Sequence, residues 1–160
     1  MEQKLTHFDE NGNAVMVDVT EKKVTKRTAV AKGCIKVNDE VFQRILEGSV
    51  EKGDVLGVAR VAGIMGVKRT SDLIPLCHPL MLSKSSIHFQ LDEEAKVITA
   101  ECLCTLEGKT GVEMEALTGV TIALLTIYDM CKALDKEMEI FGVHLIKKTG
   151  GKSGEYERPI

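Results

Sequence analysis

The sequence predicts an α+β domain of the ferredoxin-like, split βαβ type: an antiparallel sheet with helices packed on one face, plus one extra helix. Three observations predict it. Segments 27–37, 85–91 and 96–106 alternate between two residue faces, the period of a half-buried strand. Segments 38–48, 52–70 and 111–134 carry helix patterns. Their order with a last strand, β-α-α-β-β-α-β, becomes the split βαβ arrangement once one helix is set aside. No repeat or linker interrupts the 160 residues, so 1–160 reads as a single domain.

Residues 1–27 are polar, with a turn at "ENGN" and one short apolar stretch, "AVMVDV" (14–19), and read as an extended arm. In "RTAVAKGCIKV" (27–37), Ala29, Ala31, Gly33, Ile35 and Val37 share one strand face. "NDEVFQRILEG" (38–48) follows as a helix, with Asn38 as N-cap and Gly48 just past its end. A second helix starts near Asp54 in "KGDVLGVARVAGIMGVKRT" (52–70). Its small residues Ala59, Ala62, Gly63 and Gly66 recur at helical spacing. Glycine costs up to ~1 kcal/mol inside a helix, so another backbone is expected to approach closely there. "SSIHFQL" (85–91) and "KVITAECLCTL" (96–106), joined by "DEEA", form a hairpin. "GVEMEALTGVTIALLTIYDMCKAL" (111–134) is a long, mostly buried helix, "GVHLIKK" (142–148) a final strand, and 149–160 a flexible basic tail.

Bulk properties narrow the function. Hydrophobic content of 44% and charged content of 28% suit a folded domain with a real core. The opening "MEQKLTHFDENG" lacks the layout of a signal peptide, and the most apolar stretch, 116–127, is expected to be too short to span a bilayer. Five cysteines without a secretory signal indicate free thiols and a cytoplasmic protein. The net charge of −3 conceals local basic segments. Between Lys52 and Leu91 five bases face only Asp54 and Asp72, and residues 141–154 hold three lysines and no acid. Such segments on a mildly acidic chain suit a small anionic ligand better than nucleic acid.

Several motifs fail on inspection. "GKTG" (108–111) and "GGKSG" (150–154) resemble phosphate loops, but a P-loop needs glycine five positions earlier, where Leu103 and Ile146 stand. No C-x2-C pair supports zinc, so no metal site is expected. An RNA-binding sheet would need stacked aromatics, and the central hairpin offers only Phe89.

Two features remain. "DLIPLCHPL" (72–80) sets Cys77 and His78 between Pro75 and Pro79, a stiff, non-helical, apolar segment. It suits either an active-site wall or a buried connection. The long helix carries Glu115, Thr118, Ile122, Thr126 and Asp129 within about 60° of one line, with Lys132 at i+3 from Asp129. The apolar neighbours of Asp129 and Lys132 suggest burial, and a buried pair with balanced pKa values is suited to proton transfer near neutrality. Glu115 and Asp129 nonetheless lie about 21 Å apart along the axis at 1.5 Å per residue. Only a long ligand or a site completed by a second subunit could use both.

The blocks "KGDV…", "LIPLCHPL", "TGVEMEALT", "TIYDMCKA" and "KKTGGKSG" are similar to the cyclic pyranopterin monophosphate synthase family of molybdenum cofactor biosynthesis (protein C), over Met16 to Gly154. The resemblance implies a lyase that converts (8S)-3',8-cyclo-7,8-dihydroguanosine 5'-triphosphate to cyclic pyranopterin monophosphate and diphosphate. It implies a homohexamer, a trimer of dimers, with active sites at subunit interfaces. By position it assigns Asp129, Lys132 and Lys52 to catalysis, and Leu76, Cys77, His78, Glu113, Met114 and Glu115 to substrate binding. Lys68 and Lys147 are expected near the triphosphate, with the choice among Lys147, Lys148 and Lys152 open. No cofactor is implied, apart from Mg²⁺ that could accompany the triphosphate; no nucleic acid or membrane partner is implied. Two other classes stay in view. A non-catalytic nucleotide- or pterin-binding module would bind without turnover, and a ligand-free assembly protein would have no anion site.

Overall fold

In the computed structural model, which describes residues 5–160, strand β1 (Thr25–Lys36) is the hub of an antiparallel sheet. It pairs with β3 (Val97–Gly108) on one side and β4 (Glu139–Thr149) on the other. Strand β2 (Lys84–Asp92) lies beyond β3, and the two-residue β5 (Tyr156–Glu157) lies beyond β4. The order is β2-β3-β1-β4-β5. Thus β1 and β2 run parallel with β3 between them, and β3 and β4 run parallel with β1 between them. This is the split βαβ arrangement twice over, the ferredoxin-like fold.

Helices α1 (Asp39–Glu47), α2 (Val55–Lys68) and the one-turn α3 (Thr70–Leu73) fill the first crossover, and α4 (Glu113–Cys131) the second. Helix α4 packs on α2 and on β1, β3 and β4, which covers one sheet face. The register explains why. Ala29 faces Cys104, Ala31 faces Cys102, Gly33 faces Ala100 and Ile35 faces Ile98, and every one of these residues is buried. Small residues on the central strands let the helix come close, and large ones at the ends fill the edges.

Local signals set the helix bounds. Asn38 Oδ1 accepts from the Val41 N–H at 2.8 Å, and Gly48 ends α1 at φ 66°. Asp54 caps α2 by accepting from Gly57 N–H at 2.9 Å. The expected close approach at α2 is present: a Cβ on Gly63 would stand 2.8 Å from the Gly119 carbonyl oxygen on α4.

Four details differ from the sequence reading. The Asp72–Leu80 segment is not wholly non-helical, because α3 runs to Leu73; the proline constraint takes hold at Ile74, which is extended. Strand β4 starts three residues earlier than expected, crossing Gly142 at φ 63° beside a register shift. The tail contains an unforeseen strand: Tyr156 and Glu157 pair back on Lys148 and Lys147. Finally, α4 at 19 residues is long and apolar enough by composition to cross a bilayer, contrary to the length argument. Its apolar face, with Ala116, Val120, Ala123, Leu124 and Ile127 buried, is instead spent on the protein's own core.

Candidate active site

The N-terminal end of α4 borders a pocket of about 260 Å³. The segment between the two prolines supplies one wall through Leu76, Cys77 and His78, and the start of α4 supplies Met114 and Glu115. Five of the residues assigned to substrate binding, separated by more than thirty positions in sequence, therefore meet here. Glu115 is only 4% exposed and is in no ion pair among the described residues. Burial lifts its carboxyl to about 7, its own backbone N–H opposes the rise, and the charge of Glu113 adds to it. Burial also raises the Cys77 thiol, with the Glu115 charge acting in the same direction. A raised thiol is a poor nucleophile at neutral pH, so Cys77 serves as wall. His78 is half-buried, and its Nε2 donates to the Val17 carbonyl at 2.7 Å.

A third wall, missed in the sequence reading, comes from the arm through Thr6, His7, Val17, Val19 and Lys22. Nothing periodic marks those residues. They reach the site because residues 5–24 fold back across it.

Next to the pocket lies a basic cleft of about 470 Å³ lined by Lys22, Lys23, Thr25, Gly151 and Lys152, with Glu21 the one acid on its wall. Arg27 holds the two glycine-rich turns together there. It donates to the Gly108 and Lys109 carbonyls at 3.3 and 3.2 Å, and Gly151 leaves room against its guanidinium. Glu113, assigned to the substrate, pairs in the free chain with Lys148 at 3.3 Å, and Lys148 also donates to Ser153 Oγ.

The sheet register puts two of the three lysines left open on opposite faces. Lys148 pairs with Ala29, a core-facing residue, and so projects on the helix side towards Glu113. Lys147 pairs with Val30 and projects from the opposite face. Neither Lys147 nor Lys68, exposed in the last turn of α2, lines the pocket or the basic cleft.

The other end of α4 is different. Lys52, in the turn before α2, donates to the Asp129 carbonyl at 3.2 Å, and Lys132 Nζ donates to Asp129 Oδ1 at 2.8 Å. The three residues assigned to catalysis are thus together. Their expected burial is not found: the side chains of Lys132 and Asp129 are 52% and 63% exposed. Their apolar neighbours Ile127, Met130 and Cys131 turn into the core, while Asp129 and Lys132 lie on the outer side of the same turn. The pKa values are accordingly driven apart, not balanced. The Lys132 hydrogen bond and charge, then Lys52, hold Asp129 below its usual value, and Asp129 holds Lys132 above its own. Two cations at a helix C-terminus also complement its dipole.

Among the described residues no group of three or more His, Cys, Asp or Glu side chains is placed to hold a metal ion. Cys102 and Cys104, on the core face of β3, are buried and touch at 3.8 Å as reduced thiols.

Comparison with known proteins bears on all these residues. The family model described as the MoaC family matches residues 16–151. The chain is 60% identical to the cyclic pyranopterin monophosphate synthase of Clostridium perfringens (strain 13 / Type A) over 156 residues, covering 98% of this chain and 99% of the relative. It is 58% identical to the protein of that name from Heliobacterium modesticaldum over 154 residues, covering 96% and 97%. The Cereibacter sphaeroides (strain ATCC 17029) protein of the same name is also 58% identical over 153 residues, covering 96% of each chain. The matched span takes in the pocket, most of its arm wall and the Lys52–Asp129–Lys132 cluster, and it shows that the chain belongs to the MoaC family.

Proposed function

We infer that this chain is a cyclic pyranopterin monophosphate synthase of molybdenum cofactor biosynthesis. It is a lyase that converts (8S)-3',8-cyclo-7,8-dihydroguanosine 5'-triphosphate to cyclic pyranopterin monophosphate and diphosphate. The observation that carries the reading is near-complete coverage at 60% identity by a relative of that name. The geometry gives that activity a physical form.

The pocket of about 260 Å³ suits the ring system rather than the whole nucleotide. Glu115 is a buried carboxylate in no ion pair among the described residues, so it favours a ligand that presents N–H donors, as a guanine-derived ring does. The polyphosphate then extends into the basic cleft, where Lys22, Lys23 and Lys152 offset its charge, with Lys148 freed as Glu113 turns to the ligand. A Mg²⁺ ion travelling with the triphosphate belongs to the substrate in this reading.

Asp129, Lys132 and Lys52 carry the proton transfers. In the single chain they gather on the outside of α4 around Asp129, which is fourteen residues from Glu115. They act on the ring held by a neighbouring chain, and that neighbour's coverage desolvates them and draws their pKa values back towards neutrality. A sugar hydroxyl then attacks the α-phosphorus. Its proton passes to a base of this cluster, one P–O bond forms, another breaks, and diphosphate leaves. Exposed Val58, Val61 and Met65 on α2 and Leu125 on α4 supply an apolar surface of the kind that chain–chain contacts cover. A homohexamer of three dimers, working in the cytoplasm, completes the proposal.

The test is direct. Purified protein incubated with the cyclised nucleotide should release diphosphate and a pterin product in equal amounts. Binding without either product would reduce the chain to a binding module.

A further inference from the structure

We propose that residues 6–22 act as a strap over the ring pocket, and that His78 is the positioning residue that latches it. The proposal rests on the reading that this pocket takes the substrate ring.

The strap has its own local structure. Phe8 and Ala14 form an isolated antiparallel bridge, and Asp9 Oδ1 closes the turn between them by accepting from the N–H groups of Asn11 and Asn13. Val15 N–H donates to the His7 carbonyl at 2.9 Å. Its attachment to the body of the protein is sparse by contrast. Leu5, Phe8, Val15 and Met16 are exposed, so little apolar area fastens it. Two side chains of the body reach its backbone: His78 Nε2 donates to the Val17 carbonyl at 2.7 Å, and Lys109 Nζ donates to the Thr20 carbonyl at 2.8 Å. A segment held this way belongs to the low-stability end of the molecule, from which lids are drawn. Yet Thr6, His7, Val17, Val19 and Lys22 form one wall of the pocket, so the pocket has that wall only while the strap is docked.

This explains the two prolines. Pro79 confines His78 to extended backbone, and Pro75 does the same for Ile74, so the imidazole is delivered at a fixed place. A carbonyl oxygen only accepts, so Nε2 must carry a hydrogen here, and both the Nε2–H tautomer and the imidazolium satisfy it. The latch needs an N–H donor and no acid–base chemistry. Glutamine supplies such a donor; alanine does not.

The experiment compares the full chain with His78→Gln, His78→Ala and Lys109→Met. Amide exchange over residues 6–22 and steady-state kinetics on the cyclised nucleotide are measured for each. His78→Ala should exchange about tenfold faster across the strap, the effect of one net hydrogen bond. Its KM should rise by a similar factor, with kcat within about twofold. Lys109→Met should move both readouts the same way, and it decides the matter if His78→Ala does not fold. His78→Gln should restore both. A loss of kcat well beyond twofold in both His78→Ala and His78→Gln would overturn the proposal, because the imidazole would then act on the substrate. Strap exchange unchanged in both His78→Ala and Lys109→Met would overturn it too. If the wild type makes no pterin product, the functional reading fails, while the exchange data still decide the latch.

Discussion

The two ends of α4 belong to one helix and share one stripe, but they have opposite environments. At the N-terminal end, Glu115 is walled in by its own chain, is in no ion pair among the described residues and holds its proton to about 7. At the C-terminal end, Asp129 stands in the open between two lysines that keep it ionised. The difference teaches where each half of the site gets its low dielectric. The recognition half makes its own. On the proposed function, the acid–base half, bare in the single chain, takes its covering from a neighbouring chain.

The largest effect expected from breaking this contrast is chemical. Asp129→Ala or Lys52→Ala should lower turnover by about 10²- to 10⁴-fold, the range for a lost acid–base group. Thermal stability should move little, because both side chains are exposed. Retained turnover would remove the C-terminal end from the mechanism. The next effect sharpens the borrowing. Glu115→Ala and Asp129→Ala chains, each inactive, are co-expressed. If every site joins the pocket of one chain to the acid–base cluster of another, random pairing restores about a quarter of wild-type activity. A site confined to one chain restores none.

A smaller effect lies in stability against pH. The folded-state pKa of Glu115 is raised from 4.5 to about 7, so the native state holds a proton that the unfolded chain has released. Stability is therefore fullest below pH 4.5 and declines as pH rises towards 7. Denaturant titrations at about pH 5 and pH 8 should differ by ~1–2 kcal/mol, after discounting for the opening to the pocket. Glu115→Gln should flatten that slope. Asp129 behaves oppositely: its depressed pKa favours the fold above 3.8, and that contribution is lost as pH falls further. An Asp129→Asn chain should thus keep the wild-type dependence of stability on pH between pH 5 and 8. The smallest effect is at Lys148→Met, which frees Glu113 at a cost below about 1 kcal/mol and should weaken diphosphate binding measured by calorimetry.

What could be read from sequence was local. Asn38, Gly48 and Asp54 marked their helix ends because a cap is written within four residues. The alternation of β1 and β3 set their paired faces, but it could not separate Lys147 from Lys148: counted in twos from Leu145 it puts Lys147 on the core face, and an irregularity in β4 opposite Val30 and Ala31 reverses that. The misjudged burial of Asp129 has a plain cause. Sequence neighbours of a helical residue point elsewhere, so apolar Ile127 and Met130 said nothing of its own side. The pocket could not be read by pattern, because Cys77 and Glu115 meet only through the fold. The arm was further out of reach: its tie to His78 is a backbone carbonyl, which no residue type announces. Strand β5 has two residues, too few for any period.

Gly63 and Gly119 face each other where α2 crosses α4; a side chain on Gly119 would stand 2.8 Å from Cys102 Sγ, and one on Gly63 equally near a backbone oxygen. Main chain against main chain makes that crossing a fixed gauge. The surrounding aliphatic residues could be exchanged and repacked around it, whereas one added methyl would act as a wedge between the helices. Because α2 begins just after Lys52 and α4 runs from Glu115 to Asp129, the wedge would tilt both halves of the site at once.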